Sequence, residues 1–371
     1  MRIRARTILI LLLTCGLLWF FFRNADITGV WAETRRANPL LLMLALVATM
    51  VGYVLRALRW QFLLAPIGAT RFSTALKTTI IGFAASFLLP ARAGEVIRPY
   101  LLARRERLSA TAAFATIIVE RLLDLVAVLL LFALFVFLGS AGVAPGNPAQ
   151  LARVTWGGGI AAGGAVASLA VLFVLAGHPG RIGRLMLGID RVLPGAIARA
   201  AARFVQMFAE GLAVMRQPAR LAAALLWSFP LWLSIAGGIW LASQAFRITF
   251  PFSASFLVMM MLVVGVAVPT PGAIGGYHAA YQISVETFFG APTDRAVGCA
   301  IVLHAISFVP VTLLGVALML NEGLTLAGAK HLAEAAEHAD STGRGGGDAA
   351  HPVDADGSGR AVPEPARRGA R

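Results

Sequence analysis

Between Lys77 and Arg92 the chain reads TTIIGFAASFLLPA, fourteen residues without a charge, and it continues RAGEVIRPYLLARR through residue 105. A helix needs about 20 apolar residues to cross a bilayer, so this run is too short to span. Arginine-rich stretches lie on both sides, Arg56, Arg59, Arg71 and Lys77 before it and Arg98, Arg104, Arg105 and Arg107 after it. The positive-inside rule assigns both to the cytoplasm. The segment must then enter and return, so residues 75–103 are expected to form a re-entrant helix, a break at LPARAGE (Leu89 to Glu95) and a second half-helix going back. Irregular backbone at such depth is tolerated only where it is buried in protein or lines a wet cavity.

The rest of the chain is as apolar as this segment. Of 371 residues 58% are hydrophobic and 13% charged, with a mean hydropathy of +0.78, whereas a water-soluble domain carries about a quarter charged residues. Residues 1–321 hold 26 Lys/Arg against ten Asp/Glu, so the hydrophobic body is basic. Cys15 and Cys299 lie far apart inside apolar runs, which supports neither a disulfide framework nor a thiolate metal site. The run at 7–22, preceded by Arg2, Arg4 and Arg6 and followed by no obvious A-x-A site, is expected to be an uncleaved first span. Further spans are expected at 37–55, 110–138, 156–176, 221–246 and 296–320.

The 38-residue charge-free run at 248–285 is too long for one helix and is split by PTPGAIGG at residues 269–276. It reads, to about residue 288, as a second hairpin entering from the outside. The two broken segments look like copies, because Gly94 to Arg121 is 27 residues and Gly276 to His304 is 28. The fold class is therefore all-α: a polytopic helical membrane protein of about eight membrane segments, with two broken, re-entrant hairpins in an inverted repeat. The transmembrane body covers 1–321, with a first repeat at about 38–138 and a second at about 221–321. The arginine-studded stretch 181–220 is either an amphipathic helix on anionic lipid or an ordinary basic loop. Residues 322–371 form a cytoplasmic tail, expected to be disordered beyond about Asp340. With this topology 18 basic residues fall inside and 6 outside, which puts both termini in the cytoplasm.

Paired inverted breaks point to a midplane site, because half-helix N-termini present unpaired N–H groups and positive dipole ends. The glycines of the second break, Gly272 and Gly275, belong to that site. Glu120 lies eleven residues beyond Ser109, about 16 Å along a helix and near the bilayer centre. Glu120, Arg121 and Asp124 share neighbouring faces and can form a self-neutralising patch, read as a functional site, as Arg121 locking onto Glu95 or Asp124 to pin the hairpin, or as both. Arg92 and Arg98 flank the first break, where guanidinium forks suit a phosphate, although Arg98 also sits where a snorkelling cytoplasmic arginine belongs. His278 and His304 are candidates for proton coupling or for hydrogen-bonded packing. No carboxylate or thiolate lies at short helical spacing from either histidine, so no metal is expected.

PARAGEVIRPYLLARR, the span containing VERLLDLVAVLLLF, and PTPGAIGGYHAAYQ with its trailing helix together resemble the lysylphosphatidylglycerol synthase transmembrane region (flippase-like) family. The resemblance covers residues 5–325. It implies a polytopic inner-membrane domain that moves an aminoacylated phospholipid between leaflets, beside a separate aminoacyl-transferase domain that is not expected here. Relatives are similar to proteins of isoprenoid-linked sugar or hopanoid pathways. Two departures stand out: Tyr277, His278, Ala279 and Ala280 follow the second glycine motif where an acidic residue is frequent, and His304 stands where many relatives have arginine. The expected function is lipid translocation, with anionic or isoprenyl-phosphate head groups as partners and no cofactor or nucleic acid. The alternatives are an accessory subunit for a separately encoded transferase and, with less support, a membrane-embedded transferase.

Overall fold

The structure is a computed structural model that describes residues 5–89, 92–138, 149, 152–160, 162–164, 167, 217–268 and 270–321. Much of the span expected at 156–176, the basic stretch 181–220 up to residue 216, and the tail from Glu322 lie outside the described residues. Among the described residues every regular element is helical. In chain order these are α1 (Ala5–Phe22), α2 (Ile27–Arg36), α3 (Pro39–Leu64), α4 (Phe72–Leu88), α5 (Gly94–Glu106), α6 (Ala110–Phe137), α7 (Pro218–Ala245), α8 (Ser255–Ala267), α9 (Gly276–Phe289) and α10 (Thr293–Asn321). Single 3-10 turns at Phe252–Ala254 and Pro271–Ala273 precede α8 and α9.

Local chemistry sets the helix boundaries. Asn38 caps α3 by accepting from the Leu40 and Leu41 amides, with Pro39 at the first helical position. Ser109 caps α6 through the Ala112 amide. Asp26 caps α2, a helix that the spacing of apolar runs did not announce, and the Thr28 hydroxyl holds its carboxyl below the usual carboxylate range. Helix α3 continues to Leu64, nine residues past the charge-free run, because nothing between Gly52 and Pro66 breaks it.

Helices α3, α7 and α10 are long and apolar enough to cross a membrane. Helix α6, with 28 residues, matches them in length but carries Glu120, Arg121 and Asp124. Leu40, Met43, Leu44, Val47, Val51 and Val54 make an exposed stripe along α3 at helical spacing, the arrangement of a surface solvated by lipid rather than water. The chain is a polytopic helical membrane protein.

Two pairs of short helices fold back on themselves, α4 with α5 and α8 with α9. Each pair closes on two glycines. A Cβ on Gly82 would meet the Arg98 Cβ at 2.6 Å, and one on Gly94 would meet the Ser86 amide nitrogen at 2.6 Å. In the second pair a Cβ on Gly265 would meet the Gly276 carbonyl at 2.5 Å and the Ala280 Cβ at 2.6 Å. Such contacts let helix backbones approach closely, which is how helices pack where no water is expelled.

The packing has an internal two-fold pattern. Helix α5 packs on α6 as α9 does on α10, α3 packs on α4 as α7 does on α8, and α4 meets α10 as α8 meets α6. The equivalent helices α3 and α7 pack on each other and run antiparallel. The Asn38 amide donates to the Ala245 carbonyl at 3.0 Å, and Arg59 at the other end of α3 reaches Ser228 at 2.8 Å. Between them a Cβ on Gly52 would lie 3.1 Å from the Ser234 hydroxyl. The repeat is therefore inverted. The two hairpins enter the bundle from opposite ends, since the open end of the first lies beside the C-terminus of α3 (Gln61 to Thr70, 2.6 Å). The open end of the second lies beside the C-terminus of α7 (Trp240 to Phe250, 3.0 Å).

Gly276→Val forces Cβ and both methyls into the α8 backbone and is expected to cost about 1–3 kcal/mol or to abolish folding. Gly237→Ala, with nothing within 4 Å of its added Cβ, is expected to be neutral or to gain up to about 1 kcal/mol. Thermal unfolding in detergent distinguishes the two.

Candidate functional site

Helix α6 carries two carboxylates into the bundle, Glu120 with 0% and Asp124 with 5% exposure. Leaving either unpaired there would cost several kcal/mol, and guanidinium groups from three helices meet them. From α3, Arg59 binds Asp124 at 2.6 Å and lies 3.3 Å from Glu120. Arg56 lies 3.2 Å from Asp124 and 3.4 Å from Glu120. From α5, Arg98 binds Glu120 at 3.0 Å with its guanidinium 3.8 Å over the Trp60 ring, a cation–π stack that fixes its plane. On α6 itself, Arg121 reaches Asp124 at 3.7 Å and Glu120 and Glu95 at 3.9 Å. Trp232 of α7 donates to Asp124 at 2.9 Å, and Trp60 donates to Thr116 at 3.0 Å. One oxygen of Glu120, Oε1, thus gathers four arginines, while Oε2 makes no hydrogen bond among the described residues. Neither do Nε and Nη2 of Arg59 and Arg98, nor Nε of Arg121.

The charge count places Arg56, Arg59 and Arg98 on the cytoplasmic side; the structure adds that they are 7%, 0% and 2% exposed and bind the α6 carboxylates. The charge at Arg56 does not end α3, which carries Arg56 and Arg59 on into the bundle. The usable signal was Arg56 and Arg59 three residues apart, on one face of an unbroken helix, beside Trp60.

The two hairpin tips meet beside this cluster. Both line one cavity of 560 Å³, whose walls include Ser86, Phe87, Arg92, Glu95, Arg98 and Arg121 from the first repeat and Val266, Thr270 and Gly272 from the second. Arg92 sits in the left-handed region (φ 54°) and donates to the Val266 carbonyl at the end of α8, joining one tip to the other. A second cavity of 370 Å³ is lined by Arg56, Arg92, Arg121 and Asp124 on one side and by apolar side chains such as Leu231, Ile239, Met259 and Leu303 on the other. Arg92, Arg121, Phe83, Phe87 and Phe308 line both cavities.

Of the residues singled out in the sequence, Arg92, Glu95, Arg98, Arg121 and Gly272 line the first cavity, Asp124 lines the second, and Glu120 is buried behind the arginines. Gly275, His278 and His304 lie outside both linings. The Gly275 amide donates to His278 Nδ1 at 3.4 Å and His304 Nε2 donates to the Gly272 carbonyl at 2.9 Å. The two rings lie 4.6 Å apart. They hold the second break, where Gly272 and Gly275 take positive φ of 58° and 90°. Among the described residues no group of three His, Cys, Asp or Glu is placed to hold a metal.

Asp124→Ala leaves Arg56 and Arg59 without their main counter-charge and is expected to destabilise the fold by about 3–5 kcal/mol. Combining it with Arg59→Met is expected to recover part of that loss. Unfolding midpoints of the three variants in detergent measure the coupling.

Comparison with known proteins bears on this geometry. A stretch of 102 residues is 31% identical to a UPF0104 membrane protein of Methanocaldococcus jannaschii, covering 27% of this chain and 30% of that protein. A stretch of 122 residues is 27% identical to the glycosyltransferase AglD of Haloferax volcanii, covering 33% of this chain and 19% of that protein. The chain thus spans less than a third of the length of either relative. Residues 7–315 match the family described as the lysylphosphatidylglycerol synthase TM region, and the chain belongs to that family.

Proposed function

We propose that the protein moves an amphiphile between membrane leaflets by taking its head group into the chamber between the two hairpin tips. The observation that carries this proposal is that both breaks and Arg92, Arg98 and Arg121 line one cavity. In this reading each hairpin is re-entrant, dipping into the hydrocarbon from one face. The arginine cluster and the half-helix N-terminus of α5, whose Gly94 lines the cavity, favour an anionic group such as a lipid phosphate. Arg121, 40% exposed at its side chain, and Arg92 make the first contact. Glu120 and Asp124 hold the remaining arginines in place between cycles. Glu120 and Asp124 are held by arginine and Glu95 lies 3.9 Å from Arg121, and the protein is proposed to be a transporter rather than an enzyme. Moving Arg56, Arg59 and Arg98 from the cytoplasmic tally to the interior leaves fifteen basic residues inside against six outside. That tally supports both termini in the cytoplasm, and the family supports the proposed location in a bacterial inner (plasma) membrane.

A second reading is an accessory subunit that presents a lipid-linked substrate to a separately encoded transferase. The partial likeness to a protein named as a glycosyltransferase favours it.

A leaflet-sensitive assay in proteoliposomes with fluorescent anionic, zwitterionic and isoprenyl-phosphate lipids tests the first reading. Wild type is expected to move at least one anionic lipid. Arg121→Ala, recovered as folded protein, is expected to fall to the level of empty vesicles, and Arg121→Lys to retain part of the rate. Movement of none of the lipids by wild type would leave the accessory role.

A further inference from the structure

Arginine outnumbers carboxylate along both cavities. The charged side chains that line them are Arg56, Arg92, Arg98 and Arg121 against Glu95 and Asp124. Behind this wall Arg59 and Glu120 lie 3.3 Å apart and offset each other. Among the described residues the excess is therefore two positive charges, whether the wall alone or the whole cluster is considered.

The unused hydrogen-bonding capacity points the same way. Asp124 already takes Arg59, Arg56 and the Trp232 indole, and Glu95 faces Arg121. Asp124 is thereby occupied, and Glu95, 37% exposed and 3.9 Å from Arg121, is the one carboxylate of the two linings that is held loosely. Glu120 Oε2 is an open acceptor, but Glu120 is fully buried and lines neither cavity. On the donor side, Nε and Nη2 of Arg98 and Nε of Arg121 make no hydrogen bond but are buried like Glu120 Oε2, and Arg121 Nε lies 3.9 Å from Glu95. Both residues line the first cavity, and Arg98 is held in place by its stack on Trp60. An anion entering this chamber meets a fixed surplus of positive charge. An ammonium group meets like charge at close range in a medium that screens it poorly.

We infer that the chamber selects a phosphomonoester head group, which carries nearly two negative charges, over a singly charged phosphodiester, and that it rejects a phosphodiester bearing an aminoacyl ammonium group. The inference rests on the chamber being the head-group site. A monoester approaches two charges at neutral pH and offers three terminal oxygens to arginine forks, which matches the excess. A lysyl ester of phosphatidylglycerol, the lipid in the family's description, carries two ammonium groups on one phosphodiester. Its net charge has the same sign as the wall.

Equilibrium binding to the full chain in detergent, with four lipids of identical acyl chains, isolates the head group. Labelled phosphatidic acid is displaced by unlabelled phosphatidic acid, phosphatidylglycerol, lysyl-phosphatidylglycerol and phosphatidylcholine. Phosphatidic acid is expected to bind about tenfold more tightly than phosphatidylglycerol and about a hundredfold more tightly than the lysyl ester. Arg92→Gln removes one positive charge from a side chain that is exposed and has no carboxylate partner among the described residues, and its unfolding midpoint in detergent checks that the fold survives loss of the bond to Val266. It is expected to reduce the preference for phosphatidic acid over phosphatidylglycerol about threefold. Equal displacement by the lysyl ester, absence of phosphatidic acid binding, or an unchanged preference in Arg92→Gln overturns the inference. The first and third of these leave translocation in vesicles untouched. Selective binding with no lipid movement in vesicles removes the transport reading and leaves the charge selection standing.

Discussion

Two carboxylates placed inside an apolar bundle govern much of this structure. Glu120 and Asp124 are tolerable there only because Arg56, Arg59, Arg98 and Arg121 converge on them, and those arginines reach in from α3, α5 and α6. Trp232 and Ser228 of α7 complete the set. Four helices are thus tied by one cluster whose energy depends on all its members being present together. In a protein whose outer face is solvated by lipid, apolar burial drives helices together only weakly, so such a polar knot carries more of the burden of specifying which helices are neighbours.

The glycine pairs perform a complementary task. Gly82 with Gly94 and Gly265 with Gly276 bring the arms of each hairpin to backbone contact, which keeps the arms thin enough for two tips to share one interior. The first tip supplies charge, through Arg92, Glu95 and Arg98. The second supplies backbone carbonyls, Gly272 bonded by His304 and Val266 bonded by Arg92. The repeat is symmetric in its packing and asymmetric in its chemistry.

Much of this was legible in the sequence, for identifiable reasons. Short charge-free runs and the PARAGE and PTPGAIGG breaks gave the hairpins, because Pro and Gly punctuate helices whatever surrounds them. The positions of Glu120, Arg121 and Asp124 followed from helical rise alone. Arg56 and Arg59 were missed as partners because a charge at the end of an apolar run looks the same whether it faces water or another helix; only the tertiary partner decides. Gly82 and Gly265 were missed because a small residue in an apolar run marks no break. Helix α2 depends on the Asp26 cap and on its contact with α10, which apolar spacing does not register.

The seam between α3 and α7 joins equivalent helices head to tail, with Ala45, Thr49 and Gly52 of one facing Gly238 and Ser234 of the other. An interface between equivalent surfaces is self-complementary. A protein of half this length, inserted into the bilayer in both orientations, would already possess the surface needed to pair with its own mirror-oriented copy. Fusing two such halves frees each to diverge, one toward arginine and the other toward histidine, without disturbing the joint they inherited.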